Sequence, residues 1–140
     1  MTLSAAALSV GQQFSSVIVD DLTRTQIVQY AGASGDYNPL HTDEVYAKEI
    51  AGYPGVFAHG MLTMGLTGKA ITDLVGDGRL TNFGVRFTAQ VWPGDTLTVR
   101  TTLDSAGEEG GVLLGRFSVE TLNRDGKTVV SGYAVARLDP

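Results

Sequence analysis

The stretch AHGMLTMGLTGKAITDLVG, residues 58–76, carries the longest helical pattern in the chain. Its apolar side chains recur at helical spacing and nearly surround the first half of the segment, which is typical of a helix that is buried on most sides. Gly76 follows the last apolar residue, and a glycine commonly stands just beyond a helix end. The segment therefore predicts a long central helix against which the rest of the chain packs.

The part of the chain that follows this helix has the pattern of β-strands. Apolar and polar side chains alternate there, as they do in an antiparallel sheet with one packed face and one wet face. Asp125-Gly126 separates the last two alternating runs and is a strong hairpin signal. We predict four strands, at residues 79–91, 95–107, 110–123 and 127–138.

The part of the chain before the central helix begins with a strand and a short helix. β-branched residues mark residues 13–22 as the strand. Thr23 or Thr25 can cap the helix that follows, because a threonine side chain accepts hydrogen bonds from the first helical N–H groups. Four residues are predicted to form its buried side: Ile27, Val28, Tyr30 and Ala31.

A second short helix is predicted over residues 44–52, with Thr42 or Asp43 as its cap. One strand, a helical section and a run of antiparallel strands together indicate an α+β fold, in which a sheet packs on the central helix. No linker, repeat or low-complexity segment divides the chain. Residues 1–140 are therefore predicted to form a single domain.

The composition argues against several classes of function. The 140 residues include no cysteine, which rules out disulfide bridges, thiol nucleophiles and thiolate metal sites. A net charge of −5 argues against binding to nucleic acid or to an anionic membrane surface. Residues 1–14 lack the basic segment of a signal peptide and predict a loose N-terminus. We expect a cytoplasmic protein without a membrane span.

The loop GDYNPLHTD, residues 35–43, places an acid and an imidazole on either side of a proline. A loop stiffened by Pro39 can hold Asp36 and His41 in fixed relative positions, so that they share a water molecule and exchange protons with it. The amide of Asn38 can orient that water. The spacing alone also fits simple turn chemistry, with Asp36 and Asn38 bonding to their own backbone.

His59-Gly60 stands where the central helix begins. The first N–H groups of a helix have no partner within it and lie at its positive end. A glycine there lets a carbonyl oxygen approach the backbone, as in an oxyanion hole. The alternative is that Gly60 only allows close packing and that His59 is a polar residue with its hydrogen bonds satisfied.

The two motifs together are more informative than either alone. GDYNPLHTD followed about twenty residues later by AHGM resembles the signature of the MaoC-like, (R)-specific enoyl-CoA hydratases. The similarity runs from about residue 12 to the C-terminus, and AHGMLTMG and VRFTA also resemble the catalytic subunits of mycobacterial-type hydroxyacyl-thioester dehydratases. The resemblance implies the hot-dog fold, in which an antiparallel sheet wraps a long central helix.

The resemblance also implies roles for four residues. Asp36 and His41 correspond to the catalytic acid–base pair, and Asn38 to the asparagine that orients water. The backbone N–H of Gly60 corresponds to the oxyanion donor. The implied reaction is the reversible hydration of a trans-2-enoyl thioester to a (3R)-3-hydroxyacyl thioester in fatty acid metabolism.

The same resemblance bears on cofactors and partners. It implies no metal and no redox cofactor, because coenzyme A or the pantetheine of acyl carrier protein is part of the substrate. An open sheet edge is a liability in a monomer. We therefore expect a homodimer that pairs two sheets edge to edge, or alternatively a heterodimer with a related subunit.

Three other functions fit parts of the sequence. The pattern His41-Thr42-Asp43 with His59 contains the residues of a two-histidine, one-carboxylate iron site. A hot-dog thioesterase would share the fold but attack the carbonyl carbon. A non-catalytic acyl-thioester-binding subunit would share the fold without the chemistry, and the intact pair of Asp36 and His41 argues against it.

Overall fold

The computed structural model describes residues 2–140. Met1, the first residue of the predicted 1–140 domain, lies outside the described residues. The helices are a 3-10 turn at Ala5–Ala7, α1 at Arg24–Ser34, a short π-helix at Tyr46–Ile50 and α2 at Gly60–Val75. The strands are β1 at Gln13–Val19, β2 at Leu80–Phe87, β3 at Leu97–Glu109, β4 at Val112–Leu122 and β5 at Thr128–Arg137.

The five strands form one sheet in the order β1-β3-β4-β5-β2, and each neighbouring pair is antiparallel. The helix α2 contacts β1, β2, β3 and β5, so it lies across the face of the sheet as the sequence predicts. The α+β class is therefore confirmed. The strands β1 and β2 stand at the two edges of the sheet.

The core lies between α2 and the inner face of the sheet. Ile71 and Val75 of α2 are fully buried against Leu103, Phe117 and other sheet residues. A second apolar cluster lies near the start of α2 and supports the loops there, comprising Val19, Leu22, Ile27, Ala58, Val91, Leu97 and Val129. These two clusters fix the position of α2 and of the loop that leads into it.

Only one side of α2 is buried. Met61 is 55% exposed and Gly65 is also exposed, whereas Thr63 and Thr67 on the opposite side are buried. The prediction of a helix buried on most sides is therefore wrong for the stripe that carries Met61. The sheet covers only one side of a helix that rests on it, and an apolar sequence does not by itself supply a second layer.

The helix α1 begins as predicted but buries a narrower face. Thr23 caps it and forms a reciprocal capping box with Gln26. Ile27 and Ala31 are buried, whereas Val28 is 54% exposed and was wrongly predicted to face the core. Residues four apart share a helix face, and a residue one position along points about 100° away from it.

Two further predictions are corrected by backbone hydrogen bonds. The strand predicted at 79–91 ends at Phe87, because the chain turns away and the carbonyl of Val91 accepts the N–H of Ala58 at 2.8 Å. The described part of the N-terminus is not loose, since the N–H of Ala5 donates to the Asp139 carbonyl at 2.7 Å. Leu3 and Leu8 also pack against the core.

The second predicted short helix is present as a π-helix, and Asp43, one of the two predicted caps, accepts the N–H of Tyr46, the first residue of that helix, at 3.1 Å. Among residues 2–140, the helices do not combine the length and apolar character that a membrane crossing requires.

Candidate active site

The loop after α1 is stiffened by hydrogen bonds between its own residues. Gly35 ends α1 in the left-handed region, with φ at 74°. The Asp36 carboxylate accepts the N–H of Asn38 at 3.2 Å, and the Asn38 side-chain oxygen accepts the N–H of Leu40 at 3.0 Å. The N–H of His41 donates to the Asn38 carbonyl at 3.0 Å. These bonds hold Asp36 and His41 in a fixed relation.

A backbone carbonyl determines the tautomer of His41. Its Nδ1 lies 2.6 Å from the carbonyl oxygen of Phe57. A carbonyl only accepts, so Nδ1 carries the proton and Nε2 of the neutral ring keeps its lone pair. Burial lowers the pKa of His41 below its ordinary value, and the electrostatic interaction with the His59 ring lowers it further, while the Phe57 carbonyl and Asp36 act in the opposite direction. His41 is thereby poised as a neutral proton acceptor.

His59 is buried at the start of α2 and touches both residues of the predicted pair. It is 1% exposed, and its Nε2 donates to the backbone carbonyl of Asp36 at 2.9 Å. Its ring stacks on the ring of His41, with centroids 3.9 Å apart and planes 28° apart. Tyr30 of α1 packs edge-on against the same ring, with centroids 4.9 Å apart.

The structure brings the predicted acid and base together. One ring nitrogen of His41, one of His59 and a carboxylate oxygen of Asp36 all lie within 4.8 Å of one another. One water molecule can bridge groups at such separations. Asn38 lies in the same loop, but its side-chain oxygen is already bonded to the Leu40 N–H, which leaves only its amide N–H groups for a water.

Gly60, the predicted oxyanion donor, lines a cavity of about 340 Å³. It is the first residue of α2, and its N–H donates to none of the acceptors among residues 2–140. A Cβ on Gly60 would lie 3.3 Å from ring carbons of Phe87, so the absence of a side chain allows that ring to close over the helix start. The other lining residues are Phe57, Ala58, Thr63, Thr88, Ala89, Gln90, Val91, Val129 and Val130.

Comparison with known proteins identifies the family. Residues 5–114 match the family model described as MaoC like domain. The chain belongs to the MaoC-like domain family. The match covers the candidate loop, the start of α2 and β2, whose last residue Phe87 lines the cavity. It confirms the resemblance that the two motifs indicated.

Two curated proteins with similar sequences extend this result. The chain is 34% identical over 134 residues to the peroxisomal enoyl-CoA hydratase 2 of Arabidopsis thaliana, covering 94% of this chain and 40% of that protein. It is 39% identical over 83 residues to 3-hydroxyacyl-thioester dehydratase Y of Mycobacterium tuberculosis, covering 57% of this chain and 29% of that protein. The chain thus spans well under half the length of these relatives.

The fold is confirmed by a solved structure. The unliganded R-hydratase PhaJ1 from Pseudomonas aeruginosa superposes with a TM-score of 0.85 at 29% identity, covering 99% of this chain and 88% of that one. The hot-dog fold predicted for a MaoC-like chain, with a sheet around a central helix, is therefore present.

The iron-site alternative has the right residue types but an unsuitable orientation. Two imidazoles bind one metal when their in-plane lone pairs converge on it. The rings of His41 and His59 are stacked with their planes 28° apart, so their in-plane lone pairs lie in two nearly parallel planes and do not converge on one nearby point. Asp43, which the H-x-D pattern would use, caps the short helix at Tyr46 instead. This MaoC-like site is better arranged for proton transfer than for metal ligation.

Sequence reasoning did not assign the contacts of His59 and Phe57 to the site. The one signal that the sequence offered is that the two histidines of the chain stand in the two motifs singled out above. That their rings stack is visible only in the structure. The carbonyl of Phe57 carries no signal at all, because a backbone acceptor has no residue-specific signature. Both contacts join the loop after α1 to the segment leading into α2.

Proposed function

We propose that this MaoC-like protein hydrates trans-2-enoyl thioesters reversibly to (3R)-3-hydroxyacyl thioesters. One observation carries the proposal. The Asp36 carboxylate and a His41 ring with its tautomer fixed lie side by side, near a helix start whose first residue, Gly60, lines a cavity. Acid–base and oxyanion groups together are what hydration of a conjugated double bond requires.

Asp36 and His41 act on the water. The neutral Nε2 of His41 accepts a proton as the water oxygen forms its bond to C3 of the substrate. A proton from the pair then bonds to C2, so the pair returns to its starting state. Asn38 donates an amide N–H to the water, since its side-chain oxygen is engaged with Leu40.

Gly60 acts on the thioester oxygen. As water adds at C3, the π electrons move toward the carbonyl and negative charge develops on its oxygen. The unpaired N–H of Gly60 donates to that oxygen at the positive end of α2. The charge returns to C2 when the proton arrives there. No step needs a metal or a redox cofactor, because the thioester itself stabilises the charge.

The cavity at Gly60 accommodates the thioester. Its walls include the apolar side chains of Ala58, Val91 and Val129, which suit the methylenes of an acyl chain or of a pantetheine arm. The proposal agrees with the names of the relatives, which are an enoyl-CoA hydratase, a 3-hydroxyacyl-thioester dehydratase and an R-hydratase.

We also propose that the protein works as a dimer, with a second copy or with a related subunit. The strand β2 is an open edge, and Phe87 at its end is 50% exposed beside the helix start. Met61, the residue after Gly60, is 55% exposed. A partner sheet paired with β2 would cover this apolar surface and close the edge.

A single assay separates the candidate functions. Crotonyl-CoA is incubated with the protein, and both the loss of enoyl absorbance and the release of free thiol are followed. Hydration predicts absorbance loss without thiol, and chiral analysis should find the (3R) product. Thiol release would indicate a thioesterase. A protein that binds crotonyl-CoA but changes neither signal, alone or with candidate partner subunits, would be a binding subunit and would overturn the proposal.

A further inference from the structure

We propose that His59 is a positioning residue, which ties the acid–base loop to the oxyanion end of the site through its hydrogen bond to the Asp36 carbonyl and its stack on His41. The catalytic consequence rests on the hydration proposed above. The structural consequence stands on the geometry alone.

The backbone of His59 belongs to the start of α2. Its carbonyl accepts the N–H groups of Leu62 and Thr63 at 3.1 and 3.3 Å, so it is part of the first turn. It directly precedes Gly60, the proposed oxyanion donor. Any displacement of His59 therefore moves the start of the helix that carries that donor.

The side chain of His59 reaches to the other half of the site. Its Nε2–H donates to the backbone carbonyl of Asp36 at 2.9 Å, across 23 positions of sequence. Its ring lies 3.9 Å from the ring of His41, centroid to centroid. One buried side chain thus contacts the residue that supplies the carboxylate and the residue that supplies the base.

Of the two ring nitrogens of His59, only Nε2 has a hydrogen-bond partner among residues 2–140. In the neutral ring, donation from Nε2 leaves Nδ1 as an acceptor, and that buried atom has no hydrogen-bond partner among residues 2–140. A buried acceptor without a partner costs free energy that an apolar side chain of similar size would avoid. A histidine stands at this position despite this cost. The interaction that an apolar side chain could not make is the hydrogen bond to the Asp36 carbonyl.

Without that bond, Asp36 would be held only by its own loop. Asp36 and Asn38 are exposed, and apart from the bond to His59 their hydrogen bonds are to residues within three positions. Local turns of this kind shape a loop but do not attach it to the rest of the molecule. His59 supplies the attachment on the Asp36 side, as the Phe57 carbonyl does for His41.

The test compares His59→Gln with His59→Leu. The amide nitrogen of glutamine can take the place of Nε2 and donate to the same carbonyl, whereas leucine fills a similar volume without a donor. Ile71→Val is the control, because Ile71 is fully buried in α2 away from the site and its truncation lowers stability alone. The turnover number, KM for crotonyl-CoA and melting temperature are measured for each.

We expect His59→Leu to lower kcat by about 10²-fold, the usual effect of misplacing a reacting group by an ångström, with KM changed far less. His59→Gln should recover kcat to within about tenfold of the wild type. Ile71→Val should melt earlier with kcat unchanged. Wild-type kcat in His59→Leu, or an equal loss in the glutamine and leucine variants, would overturn the inference.

A second measurement, amide hydrogen exchange, tests the inference without depending on catalytic activity. Hydrogen exchange of the amides of Asn38, Leu40 and His41 should accelerate in His59→Leu and return toward wild type in His59→Gln. Should the leucine variant not fold, His59→Phe replaces it, since phenylalanine keeps the stacked ring and lacks the donor. An inactive wild type would overturn the proposed function, and the exchange data would still decide the role of His59.

Discussion

The Nδ1–H of His41 donates a 2.6 Å hydrogen bond to the carbonyl oxygen of Phe57. This bond leaves Nε2 of His41 as the nitrogen with a free lone pair, so the tautomer needed for a general base is set by the fold and not by the substrate. Burial lowers the pKa of the same ring, which favours its neutral form. Both effects prepare His41 to accept a proton at neutral pH.

This relationship predicts the pH dependence of activity. The plot of kcat/KM against pH should show an acidic limb whose midpoint lies below 6.5, the ordinary value for histidine, because burial lowers the pKa of His41. His41→Ala should lose that limb along with most of the activity. A midpoint clearly above 6.5 would mean that the base is another group or that His41 is protonated in the working enzyme.

The same shift predicts a change in stability with pH. Between the lowered pKa of folded His41 and the ordinary value of 6.5, the unfolded chain binds more protons at this residue than the folded chain does. The free energy of unfolding should therefore fall as the pH decreases through 6.5. Urea unfolding at several pH values checks this, and His41→Ala should show a weaker dependence than the wild type.

The acid–base pair is tested by substitution. Asp36→Asn and His41→Ala should each lower kcat by about 10²–10⁴-fold, the usual contribution of a positioned acid or base. The melting temperature of Asp36→Asn should change little, because asparagine can still accept the N–H of Asn38 and position 36 is exposed. His41→Ala also loses the hydrogen bond to the Phe57 carbonyl, so its kcat is compared at an equal fraction of folded protein. Asp43→Asn is the matched control, since it lies in the same loop and asparagine also caps helices. Near-full activity in either test variant would remove that residue from the pair.

The fold was predictable from sequence where local pattern and tertiary structure agree. The central helix is bounded by Gly60 and Gly76, and the Asp125-Gly126 turn fixes a hairpin register, so both elements were found close to their observed bounds. The pairing of Asp36 with His41 was also within reach, because five positions of one stiff loop separate them.

Long-range contacts account for what the sequence did not reveal. His59 meets Asp36 across 23 positions, and the N–H of Ala58 bonds to the Val91 carbonyl, which ends β2 earlier than its alternation indicates. Val28 is apolar and was predicted to lie on the buried face of α1, but it is outside the narrow stripe that the core covers. Such features depend on which segments meet in three dimensions, and that information is absent from local periodicity.

The proposed dimer predicts the mass of the protein in solution and the edge of the sheet at which the two subunits meet. Light scattering at about 10 µM should find twice the mass of one chain, because an open edge with exposed apolar residues favours association. Phe87→Glu should produce monomers, since Phe87 is half exposed at the end of β2. Val17→Glu on the opposite edge, where Val17 is 59% exposed, should leave the mass unchanged. The reverse result would place the interface on β1.

Gly60 is predicted to act through its backbone N–H. In Gly60→Ala the new Cβ would lie 3.3 Å from ring carbons of Phe87, which also lines the cavity, so that ring must move by a few tenths of an ångström. The methyl group would also crowd a thioester oxygen bound at the N–H. Loss of one oxyanion donor costs about 10²–10³-fold in rate. Turnover of crotonyl-CoA should therefore fall by about that factor, while circular dichroism shows an intact fold.

Gly65→Ala is the matched control for this prediction, because Gly65 lies in the same helix and a Cβ there would meet nothing within 4 Å. Alanine is the better helix former by about 1 kcal/mol, so this variant should melt at a higher temperature and keep wild-type kcat. The informative comparison is kcat at equal fractions of folded protein. If Gly60→Ala keeps full kcat and Gly65→Ala loses it while remaining folded, the negative charge of the transition state is not stabilised at the start of α2.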